Sequence, residues 1–294
     1  MNPEGASFYR SLDSKFQVIC FASLANLLTQ KIEACNIAAS LYPNWKREFL
    51  ALLRCPADRK VSFSDAAYPI TCLFPTKKIK RREVHDIENN MQLLEELNVE
   101  PAYPNLSSLF PAVKKKKISL HPTASMTTKY YPVDFWVELI DALTGINHEI
   151  HLFYRQEAAE KRFVEQIFGL LKKPDSLFRH EEMPLPEIAA HLSESSFFIG
   201  LDSALMHLAA LLDVFTIGLW SFADYRRIHP YGNQCHVYIP EEVLKLKRFL
   251  TPRKTFPFTA RANAKDILHI LDSSRKQSFL LHPRYVKEIK FYVY

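Results

Sequence analysis

Residues 121–132, His-Pro-Thr-Ala-Ser-Met-Thr-Thr-Lys-Tyr-Tyr-Pro, gather small hydroxyl side chains and one cation into a short stretch. Thr123, Ser125, Thr127 and Thr128 offer hydroxyl donors and Lys129 offers a charge, a set that suits a pyrophosphate. The same composition reads as a solvated turn ahead of a helix. A second stretch, Leu201-Asp202-Ser203-Ala204-Leu205-Met206-His207, puts Ser203 where it would cap a helix. The free N–H groups behind such a cap attract an anion, and Asp202 is an acceptor suited to sugar hydroxyls. His207 lies one turn on, on the face shared with Ser203. A simple cap followed by a satisfied core histidine accounts for the same residues. A third stretch, Trp220–Gly232, carries Asp224, Arg226, Arg227 and His229. It reads either as a lid over a ligand or as a long surface loop.

Each of these stretches follows a short apolar run: Ile118–His121, Phe197–Gly200 and Phe215–Leu219. Such runs are strand candidates. Pro132 suits the first turn of a helix whose buried stripe is Trp136, Leu139, Ile140 and Leu143, stopped by Gly145. Further strands are predicted at Glu149–Tyr154, Ser176–Arg179 and Cys235–Ile239. Helices are predicted at Ala159–Leu171, with Phe163, Val164, Ile167 and Leu171 inward, at Pro186–Leu192, at Ala204–Leu212, and from the Asn263 cap to Leu271. Strands alternating with helices imply an α/β fold with a parallel sheet covered on both faces. Ligands of such sheets bind outside the carboxyl ends of the strands, where the three polar stretches fall.

The first third is less regular. Phe16–Cys20, Asn36–Leu41 and Lys60–Phe63 read as strands and Asn44–Leu53 as a helix. Arg82–Leu97 reads as an amphipathic helix, because Val84, Ile87, Met91 and Leu94 fall at helical spacing. Pro101, Pro104 and Pro111 punctuate the segment after this helix and mark a domain junction. The expected division is 1–113, 114–272 and a tail, 273–294. The basic runs Lys77–Arg82 and Lys114–Lys117 read as solvated loops, or as patches that lean on anionic lipid. The tail from Ser278 is aromatic and basic, suited to crossing back to the first domain or touching membrane.

Composition narrows the function classes. The 294 residues include only 6 glycines, with none between Gly5 and Gly145, so no glycine-rich phosphate loop exists in the first half. A formal charge of +6 fits an anionic ligand or a membrane surface and falls short of a nucleic-acid binder. The five cysteines, Cys20, Cys35, Cys55, Cys72 and Cys235, are odd in number and form no C-x-x-C. They predict a reducing, cytoplasmic setting with no zinc site. The N-terminus predicts no signal peptide, and the apolar stretch 18–28 is too short to span a bilayer.

Taken in order and spacing, residues 117–271 resemble the second domain of family 9 glycosyltransferases, the ADP-heptose:lipopolysaccharide heptosyltransferases. The family shows H-P-G-[AS]-S…K-x-W-P after a strand; His121-Pro122-Thr123-Ala124-Ser125 and Lys129-Tyr130-Tyr131-Pro132 are similar. Its D-[ST]-G-x-x-H-x-A-A is matched by Asp202-Ser203-Ala204-Leu205-Met206-His207-Leu208-Ala209-Ala210. Its next strand, P-T-x-x-[LF]-[FY]-G, is matched by Phe215–Ser221. The resemblance implies a GT-B type fold of two Rossmann-like domains, the first incomplete. It implies inverting, metal-independent sugar transfer from a nucleotide sugar, ADP-heptose first, to a lipid-linked or glycan acceptor of the lipopolysaccharide core. The setting would be the cytoplasm, peripheral on the inner membrane, with no nucleic acid and no cofactor. The donor-binding residues it implies are Thr123, Ser125, Thr128, Lys129, Asp202, Ser203, Ala204 and His207. An acidic residue opening the intervening helix contacts ribose in the family; Glu160 is the choice here and Glu157 the competitor.

The first domain resembles the family less closely. The family's opening strand and its G-D-x-[LV] loop, which carries the acidic residue thought to act as base, find no counterpart, and no G-D pair occurs anywhere in the sequence. Ala204, Thr123 and Ser221 replace family glycines that allow close backbone approach. These departures favour an alternative, a catalytically degenerate nucleotide-sugar-binding remnant. A sugar-nucleotide epimerase shares the fold, but the Asp202–His207 signature argues against it.

Overall fold

A computed structural model describes residues 34–40, 52, 54–63, 77–98, 105–220, 225–232, 234–239, 263–276 and 290–293. The expected strand Phe16–Cys20 lies outside these residues, as does all but Leu52 of the expected helix Asn44–Leu53. The chain divides into two compact units, residues 1–103 and 104–294.

In the first unit, strands β1 (Cys35–Ser40), β2 (Ala57–Phe63) and β3 (Lys77–Ile79) form a parallel sheet in that order. The start of the basic run at Lys77 is therefore a strand rather than a loop, and its Ile79 is buried with Val61, Phe63, Leu93 and Leu97. Helix α1 (Asp86–Glu96) supplies the last contacts of that core. It starts later than Arg82, because the His85 side chain caps it, Nδ1 accepting from the Ile87 N–H at 3.1 Å. Its most buried positions are His85, Asn89, Leu93 and Leu97, not the apolar series Val84, Ile87, Met91 and Leu94. Asn89 is 1% exposed because its side chain satisfies the incoming chain. Nδ2 donates to the carbonyl of Arg82 at 3.2 Å, and Oδ1 accepts from the Arg82 N–H at 2.8 Å.

The second unit is a seven-stranded parallel sheet. In chain order its elements are β4 (Lys115–His121), α2 (Val133–Leu143), β5 (Glu149–Tyr154), α3 (Ala158–Leu170), β6 (Leu177–Glu181), α4 (Leu185–Ser193) and β7 (Ser195–Leu201). Then come α5 (Ala204–Leu211), β8 (Phe215–Leu219), α6 (Tyr225–Ile228), β9 (Cys235–Ile239), α7 (Ala264–Lys276) and β10 (Lys290–Val293). The order across the sheet is β10-β9-β8-β7-β4-β5-β6. Strand β10 pairs in register with β9, Lys290 opposite His236, so the end of the tail belongs to this sheet. Asn263 caps α7 as expected, Oδ1 accepting from the Lys265 N–H at 3.0 Å.

The central strands are buried on both faces, which is why their sequences are almost continuously apolar. One face packs Ile118, Leu120, Ile150 and Leu152 against Trp136 and Ile140 of α2, Val164 and Ile167 of α3, and Ile267 of α7. Helix α4 covers the other face, where its His191 meets His151 of β5. Lys117 begins the buried part of β4 and is 2% exposed, so the second basic run is not a solvated loop either. Its ammonium donates to the His191 carbonyl at 2.9 Å and lies 3.7 Å from Glu194. Among the described residues no helix is long and apolar enough to cross a membrane.

Candidate functional site

Strands β4 and β7 are neighbours, but the chain leaves them in opposite directions, through β5 and β6 on one side and through β8 and β9 on the other. This reversal is the topological switch point of a doubly wound sheet, and it opens a crevice at the carboxyl ends of the two strands. Strand β4 ends at His121 and β7 at Leu201, so the 121–132 and 202–207 stretches flank that crevice. Gly200 makes the close pairing there possible. A Cβ on it would lie 2.8 Å from the Phe198 ring and 3.1 Å from the His121 carbonyl.

Lys129 ends a single 3₁₀ turn, Thr127–Lys129, just before α2. Its ammonium reaches across to Asp202, donating to the carboxylate at 2.7 Å and to the backbone carbonyl at 3.1 Å. His207 Nε2 lies 3.8 Å from the other carboxylate oxygen. Burial pushes the Asp202 carboxyl up, but the His207 imidazole and the Lys129 ammonium outweigh it and hold the carboxyl below its usual range. Asp202 is therefore an anion at neutral pH, with His207 at 37% side-chain exposure turned partly to solvent.

Ser203 occupies the N-cap position of α5 in extended backbone, yet its side chain makes no cap bond. Its hydroxyl is instead 2.9 Å from His121 Nδ1. The first turn of α5 is thus left without a side-chain acceptor, with Ala204 exposed at its tip. That is the arrangement in which a helix start binds an anion. Burial drives the His121 pKa down to about 4, so the ring is neutral.

His121 continues the chain of polar contacts inward. Its Nε2 lies 3.3 Å from the Thr123 hydroxyl, which donates to Glu160 Oε2 at 2.7 Å. Glu160 also accepts from Arg155, at 3.1 Å from the backbone N–H, 2.9 Å from Nε and 2.7 Å from Nη2. Burial raises the Glu160 pKa, but the hydrogen bonds from Thr123 and Arg155 bring it below the usual range. Glu160 is 2% exposed, whereas Glu157 is 60% exposed and only pairs with Arg155 from outside at 2.8 Å.

The structure thus brings Lys129, Asp202, Ser203 and His207 together and ties Thr123 to Glu160. Thr123 is fully buried, so its added side chain braces Glu160 rather than filling the crevice. Ser125 is exposed and outside the network; Thr128 Oγ1 is buried without a partner. Ser221 lies outside the described residues. Sequence reasoning did not single out Arg155, whose one signal is its place just after β5 and five residues before Glu160. His121 stands in the family-like motif, and its role as the link between Ser203 and Thr123 comes from the fold alone. Tyr131, in the place of the family's tryptophan, is fully buried and donates to the Trp220 carbonyl at 2.8 Å. That bond joins the loop after β4 to the loop after β8.

Known proteins share the family pattern and the fold of this chain. The family model for glycosyltransferase family 9 (heptosyltransferase) matches residues 50–249. Lipopolysaccharide heptosyltransferase 3 of Escherichia coli is 23% identical over 161 residues, 50% of this chain and 47% of that protein. Its counterpart from strain K12 is 26% identical over 156 residues, 48% and 45% of the two chains. The match spans about half the length of these curated relatives. Escherichia coli heptosyltransferase WaaC, solved with ADP, superposes with a TM-score of 0.66 at 18% identity over 82% of this chain and 73% of that one. A family 9 glycosyltransferase from Veillonella parvula superposes with a TM-score of 0.62 at 14% identity over 81% and 73%. These likenesses show a GT-B type fold with Rossmann-like sheets. With a family model matching residues 50–249 of its 294, the chain belongs to glycosyltransferase family 9.

Proposed function

We propose that this chain binds ADP-heptose at the β4/β7 switch point and transfers the heptose, with inversion, to a lipopolysaccharide-core acceptor. The observation that carries the reading is the Lys129–Asp202–His207 group beside the uncapped start of α5, in a family 9 chain. Lys129 and the N–H groups of α5 would stabilise the diphosphate as it leaves. Asp202 and His207 would orient sugar hydroxyls; the ribose contact that the resemblance implies for Glu160 would need one of its Thr123 or Arg155 bonds to open. The sequence holds no Asp-x-Asp pair, and the leaving group has a cation and a helix start to meet it, so transfer is proposed to be metal-independent. The acceptor is lipid-linked or a glycan, placing the work at the cytoplasmic side of the inner membrane. A second reading, binding of the nucleotide sugar without transfer, is favoured by Ala204, exposed at the start of α5 in place of the family's glycine. Mass spectrometry of a heptose-deficient core oligosaccharide incubated with ADP-heptose and the chain separates the two. Gain of one heptose supports transfer; an unchanged acceptor alongside demonstrated ADP-heptose binding supports the second reading.

A further inference from the structure

We infer that His151, His180 and His191 form a binding site for a zinc-class divalent cation, separate from the crevice between β4 and β7. The three come from β5, β6 and α4, at sequence intervals that match no metal motif, so only the fold assembles them. One ring nitrogen from each lies within 4.8 Å of the others. His151 Nδ1 and His180 Nε2 are already 2.8 Å apart, in rings coplanar to within 9°. On an ion with bonds of about 2.0–2.1 Å, adjacent nitrogens sit about 2.9–3.4 Å apart. Small rotations of the imidazoles therefore reach a three-histidine set, the borderline nitrogen donors that zinc, copper and nickel prefer.

Two surroundings support the assignment. His151 Nε2 faces Glu149 Oε2 at 3.4 Å, so the proton sits on the far nitrogen and the Nδ1 lone pair turns to the ion, as carboxylate-braced ligands do. Phe178 stacks on His151 at 4.6 Å and Phe153 on His180 at 4.5 Å, which limits both rings to small movements. Lys117 works against the ion: its ammonium is 3.3 Å from His191 Nδ1. A bound cation would pin the edge strand β6 and helix α4 to the sheet.

The test uses the whole chain, purified without a histidine tag or a metal column and stripped with a chelator. Zn²⁺ is titrated against a chromophoric competitor, and Co²⁺ binding is followed by absorption. The expected result is one Zn²⁺ per chain and Co²⁺ d–d bands without thiolate charge-transfer. Affinity should fall at least tenfold in His180→Ala and in His191→Ala, and rise in Lys117→Met. Circular dichroism establishes that each variant folds, and Lys117→Met, which keeps all three imidazoles, tests the site should a histidine variant not fold. No binding by the folded chain would overturn the proposal and leave a hydrogen-bonded imidazole cluster. So would thiolate bands, or an affinity unchanged in both histidine variants.

Discussion

Replacing Glu160 by Gln changes one atom at the point where most of the polar contacts converge. The carboxylate accepts four hydrogen bonds, one from Thr123 and three from Arg155, at 2% exposure. An amide has one acceptor oxygen. If its NH₂ faces the guanidinium, N–H groups oppose each other. If it faces Thr123, the buried hydroxyl can turn, but the Arg155 backbone N–H loses its partner. Hydrogen bonds to a charged group contribute about 1.5–3 kcal/mol against about 0.5–1.5 for neutral ones, and an orphaned buried donor costs about 1–3. Arg155 is 45% exposed, so water replaces part of its share. The expected loss is about 2–3 kcal/mol. Urea unfolding at pH 7, followed by fluorescence of the buried Trp136 and Trp220, measures it. The Glu160 carboxyl is held below its unfolded value, so its contribution is present above pH ~4.5 and fades as the pH falls through the folded value. The gap between wild type and variant should narrow with it. The control is Glu157→Gln, an exposed pair expected to change stability by less than about 0.5 kcal/mol. A Glu160→Gln protein as stable as wild type, or a Glu157→Gln protein that loses more, would refute the assignment of Glu160 as the buried hub.

Lys129→Met leaves the 8%-exposed Asp202 carboxylate without its ammonium, so ADP affinity should fall at least tenfold by calorimetry and the Asp202 pKa should rise, seen by NMR titration. His121 is neutral down to about pH 4 when folded and titrates near 6.5 when unfolded, so the unfolded chain binds the extra proton between those values. Stability is therefore lost as the pH falls from about 6.5 to 4, by about 3 kcal/mol at most, and unfolding of His121→Asn should show a shallower pH slope. Asn98 follows α1 with φ 58, a left-handed position where glycine is unstrained, so Asn98→Gly should raise the stability of the first unit by up to about 1 kcal/mol in chemical denaturation.

What was legible in the sequence depended on whether its cause was local. Phe215–Leu219 and Cys235–Ile239 are strands to the residue, because doubly buried parallel strands must be apolar throughout. The α2 stripe of Trp136, Leu139, Ile140 and Leu143 is fully buried for the same reason at helical period. Features set by a distant partner were not legible. Ser203 looks like a capping residue, and only the fold shows its hydroxyl taken by His121, 82 positions away in the chain. Lys117 looks like part of a charged loop until its ammonium meets the His191 carbonyl. The buried face of α1 departs from its apolar series because Asn89 sits in it, satisfied by the backbone that leads into the helix. Glu160 and Glu157 were separable only by burial, which spacing does not report.

The central claim is that the β4/β7 crevice binds a nucleotide sugar, and calorimetric titration tests it most directly. The purified chain is titrated with ADP-heptose, beside UDP- and GDP-sugars and a His207→Ala variant. His207 is partly exposed, so its removal should leave the fold intact. The expected result is selective binding of ADP-heptose that weakens at least tenfold in the variant. A folded chain that binds no nucleotide sugar, or binds them all equally with or without His207, would contradict the claim.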